Sequence, residues 1–209
     1  MYDFRSGPAL PRLGRPIRLT TEALYGGIRM EYRYLLSVSG GGVPPWYPSV
    51  IWILHNPPYA LGEDPDPMSD PIFRRCWEIT QHHKFMRMHI VSVLSLRSPD
   101  KWVMQNMPDP VGPGNFQRVE MTLRSEPGIV IAAWGCILRP FAPHFQRLDA
   151  LLRSTGRRIN ALDLTDACDP SLPDGWDEES RRPESGSLPP IDRPLVTWIP
   201  GIEPYDPGQ

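Results

Sequence analysis

The chain alternates short apolar runs with amphipathic segments, and turn-forming residues separate the two. The apolar runs lie at 31–38, 49–55, 87–94, 128–135 and 157–164. A run of four to eight apolar residues between glycines, prolines and polar residues is typical of a buried strand. The pattern therefore predicts five strands in the middle of the chain.

Three helices are predicted between these strands. The first begins at Asp70 and Pro71, because aspartate accepts hydrogen bonds from the free amides of a first turn and proline is tolerated just after the cap. Its side chains form an apolar stripe at helical spacing that comprises Ile72, Phe73, Cys76, Trp77 and Ile79. The other two helices are predicted at 113–125 and 143–155.

This order of elements predicts an α/β fold, a three-layer sandwich whose mostly parallel central sheet has helices on both faces. In such sheets the ligand binds beyond the carboxyl ends of the strands. Three predicted strands end near residues 55–57, 95–97 and 134–135. We expect the chemistry of the protein at these three places.

The α/β domain is expected to span residues 30–165. Residues 1–29 are rich in proline, glycine and arginine and are interpreted as an extended arm. Residues 166–209 lack both periodicity and apolar density and are interpreted as an acidic, proline-rich tail. Within that tail, the apolar stretch 195–201 is expected to dock as a short edge segment.

Composition and charge exclude several classes of protein. The chain has 27 prolines and 17 glycines, a share below that of low-complexity disorder, which indicates a folded domain with stiff loops. Three widely spaced cysteines without a Cys-x-x-Cys predict neither a disulfide framework nor a zinc site, so we expect no metal and no cofactor. No membrane span or signal peptide is recognisable, and a cytoplasmic, reducing location fits. Residues 166–209 carry a net charge of −7 and the remainder +5, which is compatible with a polyanionic ligand without requiring one.

Six ordered motifs identify a family. They are YRYLLS at 32–37, LHNPPYA at 54–60, SDPIFRRC at 69–76, SVLSLRSPD at 92–100, DPVGPGN at 109–115 and AAWG at 132–135. Their order and spelling resemble the bacterial and phage "domain of unknown function 1643" proteins over about residues 31–165. The family has no settled activity, so this resemblance implies a fold and a set of site residues but no reaction.

The Asn-Pro at the end of the second strand carries a weaker resemblance. It is similar to the Gly-Ile-Asn-Pro-Gly motif of mismatch-specific uracil/thymine DNA glycosylases, which implies a uracil-DNA-glycosylase-like fold. In those enzymes the asparagine positions the attacking water, a role that would fall to Asn56, with His55 beside it. An amide holds water without itself titrating. The alternative is that Asn56 satisfies backbone groups at a proline-rich turn.

Substrate contacts are expected around Asn56. Tyr59 offers a ring for stacking on a base, and Arg97, directly after a buried strand, is suited to a phosphate. Arg74 and Arg75 cannot share one helix face, so at most one of them, taken here as Arg74, meets the ligand. Asp70 is expected beside them on the side of the protein that faces the ligand. The alternatives are a helix cap for Asp70 and surface ion pairs for the arginines.

The turn at 109–115 and the Trp-Gly pair complete the candidate site. Gly112 and Asn115 lie in a Gly/Pro turn whose free amides suit an anion, and Asn115 can also bond a base edge or cap the helix. Trp134 offers a flat face, and Gly135 allows close backbone approach. The alternatives are a tight structural turn and a tryptophan buried beneath a helix.

The chain departs from both families after its last strand. Glycosylases and most members of the family place a His-Pro or Asn-Pro segment there, whereas no histidine follows His144.

The leading hypothesis is a nucleobase- or nucleotide-acting protein with glycosylase-like chemistry on DNA or a free nucleotide. The first alternative is a non-catalytic module on a decayed enzyme scaffold that binds a nucleotide, DNA or a host or phage protein, for example a phage counter-defence factor. The second alternative is a base-modifying transferase. The oligomeric state is left open.

Overall fold

The computed structural model describes seven parts of the chain, residues 19–57, 67–98, 100–135, 139–163, 176–177, 182–183 and 194–198. Its strands are β1 (Leu19–Gly26), β2 (Tyr32–Gly40), β3 (Ser49–Leu54), β4 (Arg87–Ser92), β5 (Gly128–Ala133), β6 (Ile159–Ala161), β7 (Trp176–Asp177), β8 (Arg182–Pro183) and β9 (Val196–Trp198). Its α-helices are α1 (Pro71–His82), α2 (Lys101–Asn106), α3 (Asn115–Ser125) and α4 (Ala142–Thr155). Short 3₁₀ turns occupy Pro67–Ser69 and Arg139–Phe141.

The α/β fold is built on one mixed sheet of seven strands in the order β1-β2-β4-β3-β5-β6-β9. Strands β4, β3, β5 and β6 are parallel, while β1–β2, β2–β4 and β6–β9 are antiparallel. Three of the six neighbouring pairs are thus antiparallel, and the prediction of a mostly parallel sheet is wrong. An apolar run shows that a strand is buried but not in which direction it runs, whereas the short β1–β2 connection forces an antiparallel pair.

Helices pack against the sheet on two sides, each over its own apolar core. One core contains Trp52, Met88 and Ile131 from the sheet together with Phe73 and Trp77 of α1. The other unites Ile51, Ile53 and Val130 with residues of α3 and α4 that include Val119 and Leu148. Every residue of β3 is buried, because this strand lies at the centre of the sheet with a helical layer over both faces.

At both ends, strands of the structure lie outside the predicted domain bounds of residues 30–165. Residues 19–26, inside the predicted arm, form β1, whose mostly exposed pattern gave little apolar signal. The six-residue helix α2 was also not predicted, because only Met104 among its described side chains is buried. Within the predicted tail, β9 pairs with β6 at the far edge of the sheet, the edge position expected for the stretch 195–201. Residues 1–18 and most of the tail lie outside the described residues.

None of the helices in the described ranges is long and apolar enough to cross a membrane.

Candidate functional site

The carboxyl ends of β3 and β4 and the beginning of β2 meet at one edge of the sheet. Parallel pairing continues past the ends of β3 and β4, since Val93 N donates to Leu54 O at 2.9 Å. The chain then turns towards β2, where Arg33 N donates to Ser95 O and Arg97 N donates to Glu31 O, each at 2.8 Å. These backbone bonds bring Arg33 and Arg97, which are 64 positions apart in the sequence, to the same place.

Arg33 is a deeply buried charged group at this edge of the sheet. It is 3% exposed and pairs across the β1–β2 ladder with Tyr25, where the register shifts by one residue. Burial, together with the positive charge of Arg97, lowers the pKa of Arg33 to about 10, and Tyr25 and Asp70 oppose the shift. The guanidinium therefore stays charged at neutral pH, and a buried charge is retained only where something compensates its desolvation.

Arg97 lies beside Arg33 and is held by two contacts. Its guanidinium carbon is 4.9 Å from the centre of the Tyr25 ring, a cation–π geometry. One terminal nitrogen donates to Met30 O at 3.1 Å. Its Nε is buried and has no hydrogen-bond partner among the described residues. Arg33, Arg97 and Tyr25 are hereafter called the arginine site.

The first turn of α1 borders the arginine site. Asp70 caps this helix, because its carboxylate accepts from Phe73 N at 2.8 Å, and it lies close enough to raise the pKa of Arg33. The positive end of the helix dipole adds to the local preference for an anion. Of the two arginines that follow, Arg74 is exposed, whereas Arg75 is 5% exposed and its Nη1 lies 3.6 Å from Glu78.

Asn56 and His55 are adjacent in sequence but have different neighbours. Asn56 is half-buried, and its amide nitrogen donates at 3.2 Å to the carbonyl of Ser98, the residue after Arg97. Asn56 therefore lies near the arginine site. The His55 ring packs instead against α4 and the turn before it, 5.5 Å from the ring of Phe141 and 5.6 Å from that of Phe145.

The turn at 109–115 is consolidated by internal contacts. The Asn115 amide, 1% exposed, donates to the carbonyls of Ser92 and Val93 at 2.9 Å each, which fixes the end of β4 to the start of α3. Gly112 has φ +78°, and a Cβ there would lie 2.6 Å from the Tyr32 ring. Both residues thus have structural roles, and a ligand would meet backbone rather than the Asn115 side chain.

Trp134 and Gly135 follow β5 on the side of α4. Trp134 is 3% exposed, and its ring centre lies 5.7 Å from that of Phe145 and 5.0 Å from that of Trp198. The indole is part of the apolar core and does not present a face to solvent. Gly135 is buried with φ +70°, and Tyr59 lies outside the described residues.

Sequence reasoning missed the two residues that complete the arginine site. Arg33 was counted as part of an apolar strand, and Tyr25 was assigned to the arm. The available signal was the charge at Arg33 in an otherwise apolar and aromatic run, because a charged residue in a strand that becomes buried needs a partner or a ligand. No group of three or more metal-ligating side chains occurs in the parts of the chain that the structure describes.

Comparison with known proteins places the chain in a family. No curated protein matches it. The family model described as "Protein of unknown function (DUF1643)" matches residues 33–173, about two thirds of the chain, and its first matched residue is Arg33. The match includes Asn56, Arg97 and the turn at 109–115. On this evidence the protein is a member of the DUF1643 family.

Proposed function

We propose that the protein binds a phosphate group of a nucleotide, free or within DNA, at the arginine site and acts on the base attached to it. The observation that carries this proposal is the convergence of Arg33 and Arg97 at Tyr25. Two like charges at close range are unfavourable by themselves, and a dianionic phosphate that accepts from both guanidinium groups offsets that repulsion.

The nearby Asn56 supports glycosylase-like chemistry. Its amide nitrogen is held by Ser98 O, so the side chain has a defined orientation beside the bound phosphate. In the proposed reaction Asn56 positions a water molecule that attacks the sugar carbon. The bond from that carbon to the base breaks, and the base leaves with the electron pair and takes up the proton that the water releases. A base within a duplex has to be extruded first. The uracil-DNA-glycosylase-like arrangement of the fold is part of this proposal.

A non-catalytic binding module is the second candidate. It is favoured by the burial of Trp134 and the internal bonding of Asn115, because neither side chain is then available to hold a base. The sequence after β6 also has no histidine to serve as a second catalytic group. Such a module would keep the phosphate contacts of the arginine site without turnover.

One experiment separates the two candidates. The purified protein is incubated with nucleoside 5′-monophosphates and with single- and double-stranded DNAs that carry normal and modified pyrimidines. Mass spectrometry then detects released bases, and titration calorimetry measures binding. We expect Arg97→Gln to weaken binding about tenfold or more, since hydrogen bonds to charged groups contribute roughly 1.5–3 kcal/mol. The matched control Arg124→Gln, at an exposed arginine paired with Glu120 on α3, leaves binding unchanged.

Asn56→Ala tests the chemistry separately from binding. This substitution is expected to abolish base release while it preserves phosphate binding and the thermal unfolding temperature. Unchanged turnover in this variant would remove the mechanism. Tight binding by the wild-type protein without any released base establishes the non-catalytic module instead. If Arg97→Gln binds as tightly as the wild-type protein, the arginine site is not the binding site and the proposal fails.

A further inference from the structure

A second cluster of polar side chains lies at the opposite end of β2 and β4. Ser37 on β2 and His89 on β4 are direct cross-strand partners. Ser37 Oγ is 2.9 Å from His89 Nδ1, and His89 Nε2 is 3.2 Å from a carboxylate oxygen of Glu126, which follows α3. Arg87 contacts the same oxygen at 3.4 Å. Ser37, His89 and Glu126 are hereafter called the serine relay.

The contact between His89 and Glu126 favours one direction for the hydrogen bonds in the serine relay, and Arg87 Nη2 lies 3.5 Å from the same ring nitrogen, His89 Nε2. An ionised carboxylate only accepts, so the ring nitrogen that faces Glu126 carries the proton. Nδ1 of the neutral imidazole is then an acceptor, and Ser37 has to donate its hydroxyl proton to it. This is the functional order of a nucleophile, a base and an orienting acid, with the two ring nitrogens exchanged relative to the common triad.

The surroundings keep the imidazole neutral and well oriented. His89 is 4% exposed, and burial lowers its pKa, with Arg87 acting in the same direction and Glu126 opposing both. Arg87 is itself anchored, because it donates to the backbone carbonyls of Pro45 and Tyr47. The base is therefore unprotonated at neutral pH and has little rotational freedom.

Ser37 is accessible from the side of β1. Its side chain is half-buried, and its cross-strand partner on β1 is the exposed Glu22. Leu35, two residues earlier on β2, packs at the margin of the core that α3 and α4 form. A small molecule would approach the hydroxyl from this half-buried position beside the exposed Glu22.

We infer that Ser37 is an activated nucleophile that takes an acyl group from a small ester. In this step Ser37 Oγ bonds to the carbonyl carbon and passes its proton to His89 Nδ1. The bond from that carbon to the leaving oxygen breaks, and His89 returns the proton to the leaving group or to solvent. The products are O-acylated Ser37 and the free alcohol. This inference is independent of the arginine site and of its proposed function.

The test uses p-nitrophenyl acetate with the full chain. We expect a burst of one nitrophenol per chain and acetylation that peptide mass mapping places on Ser37. The chain also contains two lysines, three cysteines and five histidines that can react with the ester, so the Ser37→Ala variant measures the background. The burst is expected to disappear in Ser37→Ala and to slow by about 100-fold in His89→Gln, the usual magnitude for loss of a general base. Ser39→Ala, two residues further along the same strand, is the matched control and keeps the burst.

The pH profile distinguishes a relay from a merely structural network. Arg87 and Glu126 lie at the imidazole, and Glu22 lies across from Ser37 on β1. The acylation rate of the wild-type protein should rise with pH through an inflection below 6.5, and His89→Gln should lack that inflection. Glu126→Gln should slow acylation while Ser37 remains the modified residue. Thermal unfolding verifies that each variant is folded. An equal rate in wild type and Ser37→Ala, or acetylation only at other residues, overturns the inference.

Discussion

The two ends of the β2–β4 strand pair hold charged groups in contrasting arrangements. At the carboxyl end of β4, Arg33 and Arg97 lie close enough to repel each other, and Asp70, which accepts from the first turn of α1, lies near Arg33. At the amino end, Arg87 and His89 share the carboxylate of Glu126, and Ser37 completes the chain of hydrogen bonds. In the first arrangement two positive charges repel each other, and an external anion would offset that repulsion, whereas in the second Glu126 offsets the charge of Arg87 within the protein.

This contrast separates ligand binding from stability. A site in which two like charges face each other gains most when an anionic ligand binds, so its substitutions should appear mainly in affinity. A self-contained network gains its energy on folding, so its substitutions should appear mainly in the free energy of unfolding. Each of the following four predictions tests whether substitutions act mainly on ligand affinity or mainly on the free energy of unfolding. The expected effects decrease from one prediction to the next.

Arg33→Gln should have the largest effect, on binding. Loss of a buried guanidinium that faces the phosphate should weaken the binding of a nucleoside monophosphate roughly 30-fold, or about 2 kcal/mol. The free energy of unfolding should change less, because a desolvated charge is removed together with its contacts. Calorimetric titration and urea unfolding measure the two quantities. The contrast between affinity and stability is contradicted if the free energy of unfolding falls sharply while the folded fraction binds as tightly as the wild-type protein.

Glu126→Gln should have the opposite signature. Arg87 and His89 lose their shared anionic acceptor, which should lower the free energy of unfolding by about 1–2 kcal/mol. Phosphate affinity at the arginine site should stay within twofold. Urea unfolding is compared with Glu120→Gln, where the lost partner is the exposed Arg124 and the expected change is below about 0.5 kcal/mol. Equal losses in both variants would show that the network adds nothing beyond a surface pair.

Mild acid should destabilise the protein through its buried histidines. Burial lowers the pKa of His89, His83 and His144. Below pH 6.5 the unfolded chain therefore binds protons that the folded chain does not, and stability falls as pH falls. The contribution of one histidine has a limiting slope of about 1.4 kcal/mol per pH unit. Stability measured from pH 7.5 to 5 should decline less in His89→Gln than in the wild-type protein, and parallel curves would contradict this assignment.

Tyr25→Phe should give the smallest effect and refine the picture of the arginine site. The ring beneath Arg97 is retained, while the hydroxyl that bonds Arg33 is lost. Phosphate affinity should fall only about threefold, from the loss of one modest hydrogen bond. Tyr25→Leu also removes the cation–π contact and should lower affinity by a further few-fold. Calorimetry that ranks the two variants in the reverse order would show that the ring does not position Arg97.

The sequence predicted the elements well and the site only in part. Apolar runs located β2 to β6, and Asp70 with Pro71 located the start of α1, because those signals are local. Strand direction and the partnership of Arg33 with Arg97 depend on which backbone amides meet across the sheet, as when Arg33 N donates to Ser95 O. Such long-range backbone contacts leave no periodic pattern in the amino-acid sequence. The same reason explains Asn115, whose role is decided by two carbonyls more than 20 residues away.

The far edge of the sheet has a consequence for cleavage and truncation. Because β9 pairs with β6 and Trp198 packs on Trp134, the chain after Asp163 returns to the same part of the protein. After a cut between residues 163 and 194, the pairing of β9 with β6 and the contact of Trp198 with Trp134 would be the described contacts that hold the two fragments together. A chain shortened to end before Val196 would leave the backbone groups of β6 unpaired, an open strand edge that favours self-association.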